Sequence, residues 1–408
     1  EELGVLLQVR SAERTQVMQV LRAHGLGAHS HFVGKVQSPA WPSATAATTA
    51  ATTAATTAAT TAATTAATTA EAAPEQRLQI WRDARKVFDS SLQDLQQVWD
   101  SVSWKICRLR DNPVCADAEH ATLGQPGDPG LHLALSFDPA DDVAAPYLNL
   151  ARPKVAILRE QGVNSQLEMA YAFHLAGFEA HDVHMSDLQS GRARLQDFKG
   201  LVACGGFSYG DTLGAGIGWA RSITFNPLLS EQFQDFFARA DTFGLGVCNG
   251  CQMFAELASI IPGAQAWPRF TTNRSERFEA RLSMVEVLES PSLFFTGMAG
   301  SRLPIAVAHG EGYANFTRRG DAATVLAAMR FVDNHGRPTE AYPGNPNGSP
   351  GGLTAVTTPD GRFTALMPHP ERVFRNVQMS WTDLARSGGL AAQSPWMQLW
   401  HNARRWVG

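Results

Sequence analysis

From Arg152 onward, short apolar runs alternate with longer segments whose apolar positions recur every three or four residues. Strands are expected at residues 155–158, 181–184, 201–204, 245–247, 305–308 and 364–367. Helical spacing falls between several of them, as at 166–176. Strand–helix alternation of this kind predicts an α/β fold around a doubly wound, mostly parallel sheet. Such sheets carry their chemistry beyond the C-terminal edges of the strands.

The pattern before Arg152 is different. Residues 3–9 read as a strand and 12–24 as an amphipathic helix, with Val17, Val20 and Leu21 on one face and Gly25 at its end. A second strand-like run ends near Val36, giving a small β-α-β unit. Residues 44–70 are a nearly pure Thr-Ala-Ala-Thr repeat. Alanine favours helix, threonine disfavours it, and neither has much to bury, so a disordered surface insert is expected. Leu78-Gln79-Ile80-Trp81 and Lys86-Val87-Phe88 flank Asp83-Ala84 as a hairpin. Residues 91–110 place Leu92, Leu95, Val98, Trp99, Val102, Ile106 and Leu109 at helical spacing. Residues 111–146, rich in Pro, Gly and Asp, read as a linker. Three parts are therefore expected: an α+β remnant over 1–90 carrying the insert, a helix and linker over 91–151, and an α/β domain over 152–408. The chain enters a strand-like run at once and has no initiator Met, which suggests a piece of a longer polypeptide.

Composition narrows the class. The chain has 408 residues, 44% of them hydrophobic, enough for a sizeable core. A net charge of −4 and no long basic run give no support to nucleic-acid or membrane-surface partners. No apolar stretch reaches the roughly 18 residues a membrane span needs. Five cysteines in a chain of this length argue against a disulfide framework and for a reducing cytosol.

One of those cysteines stands in Gly246-Val247-Cys248-Asn249-Gly250, between a predicted strand and a predicted helix. A strand turning sharply into a helix presents its middle residue at the tip of a nucleophile elbow. Flanking glycines permit the strained backbone. A helix N-terminus favours the thiolate, the reactive form of a cysteine. Pro368-His369-Pro370-Glu371 follows another predicted strand and supplies a base and a carboxylate. His369 would take the thiol proton and return it to a departing amine, and Glu371 would orient the imidazole. Attack on an amide builds an oxyanion that needs preorganised N–H donors. Candidates are the backbone of Asn249 and the glycine-rich loop Gly205-Gly206-Phe207-Ser208-Tyr209-Gly210-Asp211. Other readings stay open at this point. Cys248 and Cys251 form a C-x-x-C, as in dithiol redox chemistry. An α/β cysteine hydrolase acting on other amides could use the same elbow. A non-catalytic docking fragment would use none of it. Asn345-Pro346-Asn347-Gly348-Ser349 is a turn that could also offer polar groups to a ligand.

The run from Gly246 through Cys251 and Gln252 resembles the nucleophile motif of class I glutamine amidotransferases. Arg159-Glu160-Gln161-Gly162-Val163-Asn164, the 205–211 loop, Ala308-His309-Gly310-Glu311-Gly312, Asn345–Ser349 and Met367–Arg372 are more specific. Together they resemble the glutaminase domain of the phosphoribosylformylglycinamidine synthase family. Residues 108–113 and the hairpin before them resemble the connection to that domain in the family's large single-chain form. The resemblance implies glutamine hydrolysis through a thioester on Cys248, with His369 and Glu371 completing the triad. It implies that Gly206, Asn249, Gln252 and His309 line the substrate site. It places residues before Val36 at the end of a synthetase region. ATP and Mg2+ would belong to upstream synthetase domains, which receive the ammonia and are the expected partner; no cofactor is expected within this chain.

Overall fold

In the computed structural model, residues 4–36, 76–82, 84–125, 127–383 and 385–408 are described. The Ala/Thr tract at 44–70 lies outside them. The chain divides into two units, Glu1–Arg77 and Leu78–Gly408.

In the first unit the predicted helix forms as α1 (Arg14–Ala23). The strands expected on either side do not: residues 4–10 and 30–36 join no ladder among the described residues. A strand is defined by a hydrogen-bonded neighbour, and apolar alternation alone does not supply one.

The second unit opens on the expected hairpin, β1 (Arg77–Arg82) with β2 (Arg85–Ser91); Asp83 of its turn lies outside the described residues. Helix α2 (Leu92–Arg110) follows, capped by Ser91, whose hydroxyl accepts from Asp94 N at 2.9 Å. The segment read as a linker contains a further helix, α3 (Pro113–Thr122). Asn112 caps it by accepting from Val114 N, with Pro113 in the first helical position. This asparagine–proline pair is a helix-start signal that the surrounding Gly and Asp obscured. Helix α2 meets α3 through its mixed face: Trp104 stacks on His120 at 4.4 Å, and Asp100 pairs with the same imidazole at 2.8 Å. The apolar positions that mark the helix are largely exposed, with Trp99 at 84% and Leu109 at 91%.

The domain proper begins with β3 (Lys154–Arg159), α4 (Gln166–Leu175), β4 (Glu179–His184), α5 (Met185–Gln189) and β5 (Gly200–Ala203). Then come α6 (Ile217–Thr224), α7 (Pro227–Ala238), β6 (Phe243–Val247) and α8 (Asn249–Glu256). Strands β7 (Arg269–Thr271), β8 (Glu279–Val287), β9 (Arg302–His309), β10 (Tyr313–Asn315), β11 (Leu326–Phe331), β12 (Leu353–Thr357) and β13 (Phe363–Leu366) follow, and α9 (Gln398–Val407) closes the chain.

Nine strands form one mixed sheet in the order β4-β3-β5-β6-β13-β12-β11-β8-β9. The first five run parallel, as the alternating pattern predicts, and helices separate β3, β4, β5 and β6 along the chain. From β13 onward the sheet continues antiparallel through β12, β11, β8 and β9. Strands β3, β5 and β6 are almost wholly buried, as strands covered on both faces must be. Phe243 anchors the core, with ring centroids 5.8 Å from Phe178 and 6.3 Å from Phe173. Strands β6 and β13 are neighbours in register, Val247 beside Leu366, so the residues after them emerge side by side at one edge. Those residues are Cys248 and the Pro368–Glu371 turn.

Candidate active site

Cys248 ends β6 and starts α8 with backbone angles φ +52° and ψ −108°, a strained conformation for a residue with a side chain. The strain is held from several directions. Its N–H donates to Leu366 O at 2.9 Å, and its carbonyl accepts from Gln252 N at 3.0 Å. Gly250 allows α8 to lie directly on β5, since a Cβ there would sit 1.9 Å from Ala203 O. The thiol is 6% exposed and lies 3.7 Å from Ala308 O.

His369 is fully buried, and its N–H donates to Ala306 O at 2.8 Å, which ties the turn to β9. Its Nδ1 is 2.6 Å from Glu371 Oε1, also fully buried. With Nδ1 so engaged, Nε2 is left toward Cys248 and has no hydrogen-bond partner. Burial alone would lower the imidazole pKa. The negative charges of Glu371 and Cys248 outweigh it and lift the value to about 9. At neutral pH the imidazole therefore carries its proton, the state that stabilises a neighbouring thiolate. Gly205 makes room for this meeting: a Cβ there would stand 2.5 Å from His369 Cε1 and 3.2 Å from Cys248 Cβ.

The glycine loop borders the same pocket, a cavity of about 300 Å³ lined in part by Gly206, Cys248, Gln252 and His309. Most N–H groups of the loop are taken. Gly205 N donates to Ser165 Oγ, Phe207 N to Gly162 O, Ser208 N to Asn249 Oδ1 and Tyr209 N to Gln161 O. The N–H groups of Gly206 and Asn249 are left without a protein acceptor among the described residues. Two backbone donors beside a buried thiol can stabilise an oxyanion.

The remaining expected site residues line the pocket in a different capacity. Gln252 donates to Glu311 O at 2.7 Å and accepts from Asn249 Nδ2 at 3.2 Å, so its amide braces the walls. His309 is buried, and Asn347 Nδ2 lies 3.2 Å from its Nε2. Burial, and then the neighbouring His369, lower His309 to about 3, so it stays neutral. The Asn345–Ser349 turn directs its polar groups inward to protein: Asn347 to His309 and Ser349, Asn345 to Ser349 O and Thr339 O. Asp211 and Glu311 also line the pocket and belong to motifs already singled out, but nothing in the spacing told that they share one cavity. Cys251, the second sulfur of the C-x-x-C, is fully buried, and burial pushes its thiol pKa well up. Dithiol exchange requires the second sulfur to attack as a thiolate, the form that this burial disfavours.

A mixed α/β sheet whose parallel half carries a cysteine elbow facing a buried histidine–carboxylate pair belongs to a class of domain whose geometry suits nucleophilic attack on a carbonyl. Within that class, residues 152–407 match the CobB/CobQ-like glutamine amidotransferase domain, and the chain belongs to that family. Membership makes it an enzyme domain whose substrate is glutamine. Among solved structures, it is similar to PurLQS from Thermotoga maritima, at 21% identity over 62% of this chain and 97% of that one, with a TM-score of 0.47. It is also similar to a glutamine amidotransferase from Thermotoga maritima (16% identity, 54% and 77% covered, TM-score 0.34). A glutamine amidotransferase from Methylobacillus flagellatus aligns at 14% identity over 64% of this chain and 95% of that one, TM-score 0.35. At such identities and scores the family assignment rests on the match over 152–407. No helix among the described residues is long and apolar enough to cross a membrane.

Proposed function

We propose that Cys248, His369 and Glu371 act as a catalytic triad that hydrolyses glutamine through a γ-glutamyl thioester. The observation that carries this reading is the buried His369, held at 2.6 Å by Glu371 and facing Cys248 at a strained elbow. The Cys248 sulfur attacks the γ-carbonyl while the N–H groups of Gly206 and Asn249 receive the developing oxyanion. His369 gives its Nε2 proton to the departing nitrogen, and ammonia leaves. His369 Nε2 then takes a proton from water, hydroxide attacks the thioester, glutamate departs and the thiolate returns.

The finer reading is that this ammonia serves phosphoribosylformylglycinamidine synthase, in its large single-chain form. There an ATP-dependent step converts formylglycinamide ribonucleotide to the amidine in cytosolic purine biosynthesis. The motifs at 159–164, 205–211, 308–312, 345–349 and 367–372 support it. In this reading ATP and Mg2+ serve the upstream synthetase domains, and no step at Cys248 draws on them. The test is glutamine hydrolysis by wild type and Cys248→Ser, followed by amidine formation when a synthetase region of that family is supplied. The variant is expected to lose both activities. Wild-type glutaminase that never supports amidine formation would remove the purine assignment. Hydrolysis that persists in the variant would remove the thioester.

A further inference from the structure

We propose that Tyr209, anchored on Glu160, is a positioning residue for the oxyanion: their hydrogen bond clamps the 205–211 loop so that the Gly206 N–H faces the reacting carbonyl. The inference rests on the glutaminase reading above and concerns two side chains that have no part in the triad.

The peptide between Gly205 and Gly206 is held from behind. The carbonyl of Gly205 accepts from Asn164 N at 3.1 Å and from Ser165 Oγ at 3.4 Å. In a trans peptide the N–H points opposite to the carbonyl, so the Gly206 N–H is turned away from residues 164–165. Farther along, Phe207 N donates to Gly162 O and Tyr209 N to Gln161 O, each at 2.9 Å. The loop therefore runs antiparallel along residues 161–164, with Gly206 bridged to Val163, and its aim depends on how closely it lies there. Glycines permit the approach. A Cβ on Gly206 would stand 2.5 Å from Val163 Cα, and one on Gly162 would overlap Phe207 O.

Tyr209 closes the clamp with its side chain. Its backbone adopts φ +56° and ψ +30°, a left-handed conformation that strains an aromatic residue and that glycine would take freely. What the tyrosine supplies there is a phenol, which donates to Glu160 Oε2 at 2.8 Å. Among the described residues this is the shortest side-chain hydrogen bond between the loop and the rest of the domain. Gly205 N to Ser165 Oγ and Ser208 N to Asn249 Oδ1 are 3.0 and 3.2 Å. Glu160 is buried and is itself fixed: its Oε1 accepts from Gln161 N at 2.8 Å and lies 3.4 Å from His184 Nε2. His184 Nδ1 accepts from Ser186 N, which leaves the ring proton on Nε2 for Glu160. Burial, and then the bond to Glu160, push the phenol up to about 12, so it keeps its proton and donates.

The strain lies on the same loop as the oxyanion donor. Once the phenol is released, the backbone at 209 is free to relax, and the Gly206 peptide shifts with it. Such a shift costs the transition state, which carries charge on the oxygen, more than the ground state, whose carbonyl is neutral.

The experiment is steady-state glutamine hydrolysis by the whole chain, wild type and Tyr209→Phe, with a synthetase region supplied if turnover needs one. Tyr209→Phe should lower kcat by about 10- to 100-fold and leave KM within about threefold. The γ-aldehyde of glutamate adds to the Cys248 thiolate through its carbonyl carbon, and the carbonyl electrons move to an oxygen that stands where the oxyanion would. Its inhibition should weaken by a factor similar to the loss in kcat. Alkylation of Cys248 by iodoacetamide builds no oxyanion and should keep its rate within about twofold. In Glu160→Gln one amide oxygen cannot replace both carboxylate oxygens, so the same split is expected; this variant decides if Tyr209→Phe does not fold. An unchanged kcat, or a loss through KM alone, would overturn the proposal. So would undiminished aldehyde inhibition, iodoacetamide labelling that falls in step with kcat, or unfolding of both variants, which would make the contact purely structural. Wild type that neither hydrolyses glutamine nor binds the aldehyde at Cys248 would remove the glutaminase reading, and the positioning role with it.

Discussion

Helix α8 is buried from Asn249 to Ala255, whereas α2 buries none of its residues. Both begin with a sound local signal: a glycine-framed elbow in one case, a serine cap in the other. Their surroundings separate them. Helix α8 rests on β5 through Gly250, leans on β6 and β13, and ends at Glu256, which answers Arg221, Arg269 and Arg319. Helix α2 is held by its cap and by one seam with α3, and its apolar stripe faces outward. An amphipathic pattern specifies a helix and a face, while only the tertiary partner decides whether that face becomes core. A strained nucleophile persists only where many contacts over-determine it, and α8 has them.

The largest effect that would sharpen this contrast is on activity. Cys248→Ser should reduce glutamine hydrolysis at least about a thousand-fold, measured as glutamate released, with thermal unfolding little changed. Next is the packing that holds the elbow. Gly250→Ala should destabilise the chain by about 3 kcal/mol in denaturant unfolding, because the added methyl meets the Ala203 backbone and cannot be accommodated by a side-chain turn. A smaller cost would mean that α8 is looser than its contacts imply.

The buried pair should then show itself in pH. The folded His369 value, about 9, lies above its ordinary 6.5. The stability that Glu371 lends the imidazolium is therefore complete below about 6.5 and lost as pH rises through about 9. The stability gap between wild type and Glu371→Gln should be widest near pH 6 and narrow toward pH 10, and glutaminase activity should decline over the same upper range. A gap independent of pH would contradict the pairing. The smallest effect is on the other helix. Trp99→Lys should change unfolding free energy by less than about 0.5 kcal/mol, since the ring is exposed. A loss of several kcal/mol would show that α2 is covered after all.

The six strands expected over 155–367 formed close to where the apolar runs placed them; β3, β5, β6 and β13 are short and largely buried, while β4 buries only Val183. Strands β7, β8, β10, β11 and β12 were not foreseen. In β8, period-two alternation is hidden by Glu279 and Arg281, charged residues that become tolerable only when paired with each other and with Tyr342. The elbow and the Pro-His-Pro-Glu turn were legible because each joins a reactive side chain to residues with restricted backbones. The sharing of one pocket by Asp211 and Glu311 was not, because a hundred residues of chain separate them and only the sheet brings their loops together. The exposed stripe of α2 was invisible for the opposite reason: periodicity is the same whether the partner is present or absent.

The most direct test of the triad is mass spectrometry of the folded chain after reaction with a glutamine-mimicking chloroketone. A single adduct on Cys248 is expected, slowed by excess glutamine and slowed strongly in Glu371→Gln. Modification of Cys251 instead, or labelling of Cys248 at the same rate in wild type and Glu371→Gln, would contradict it.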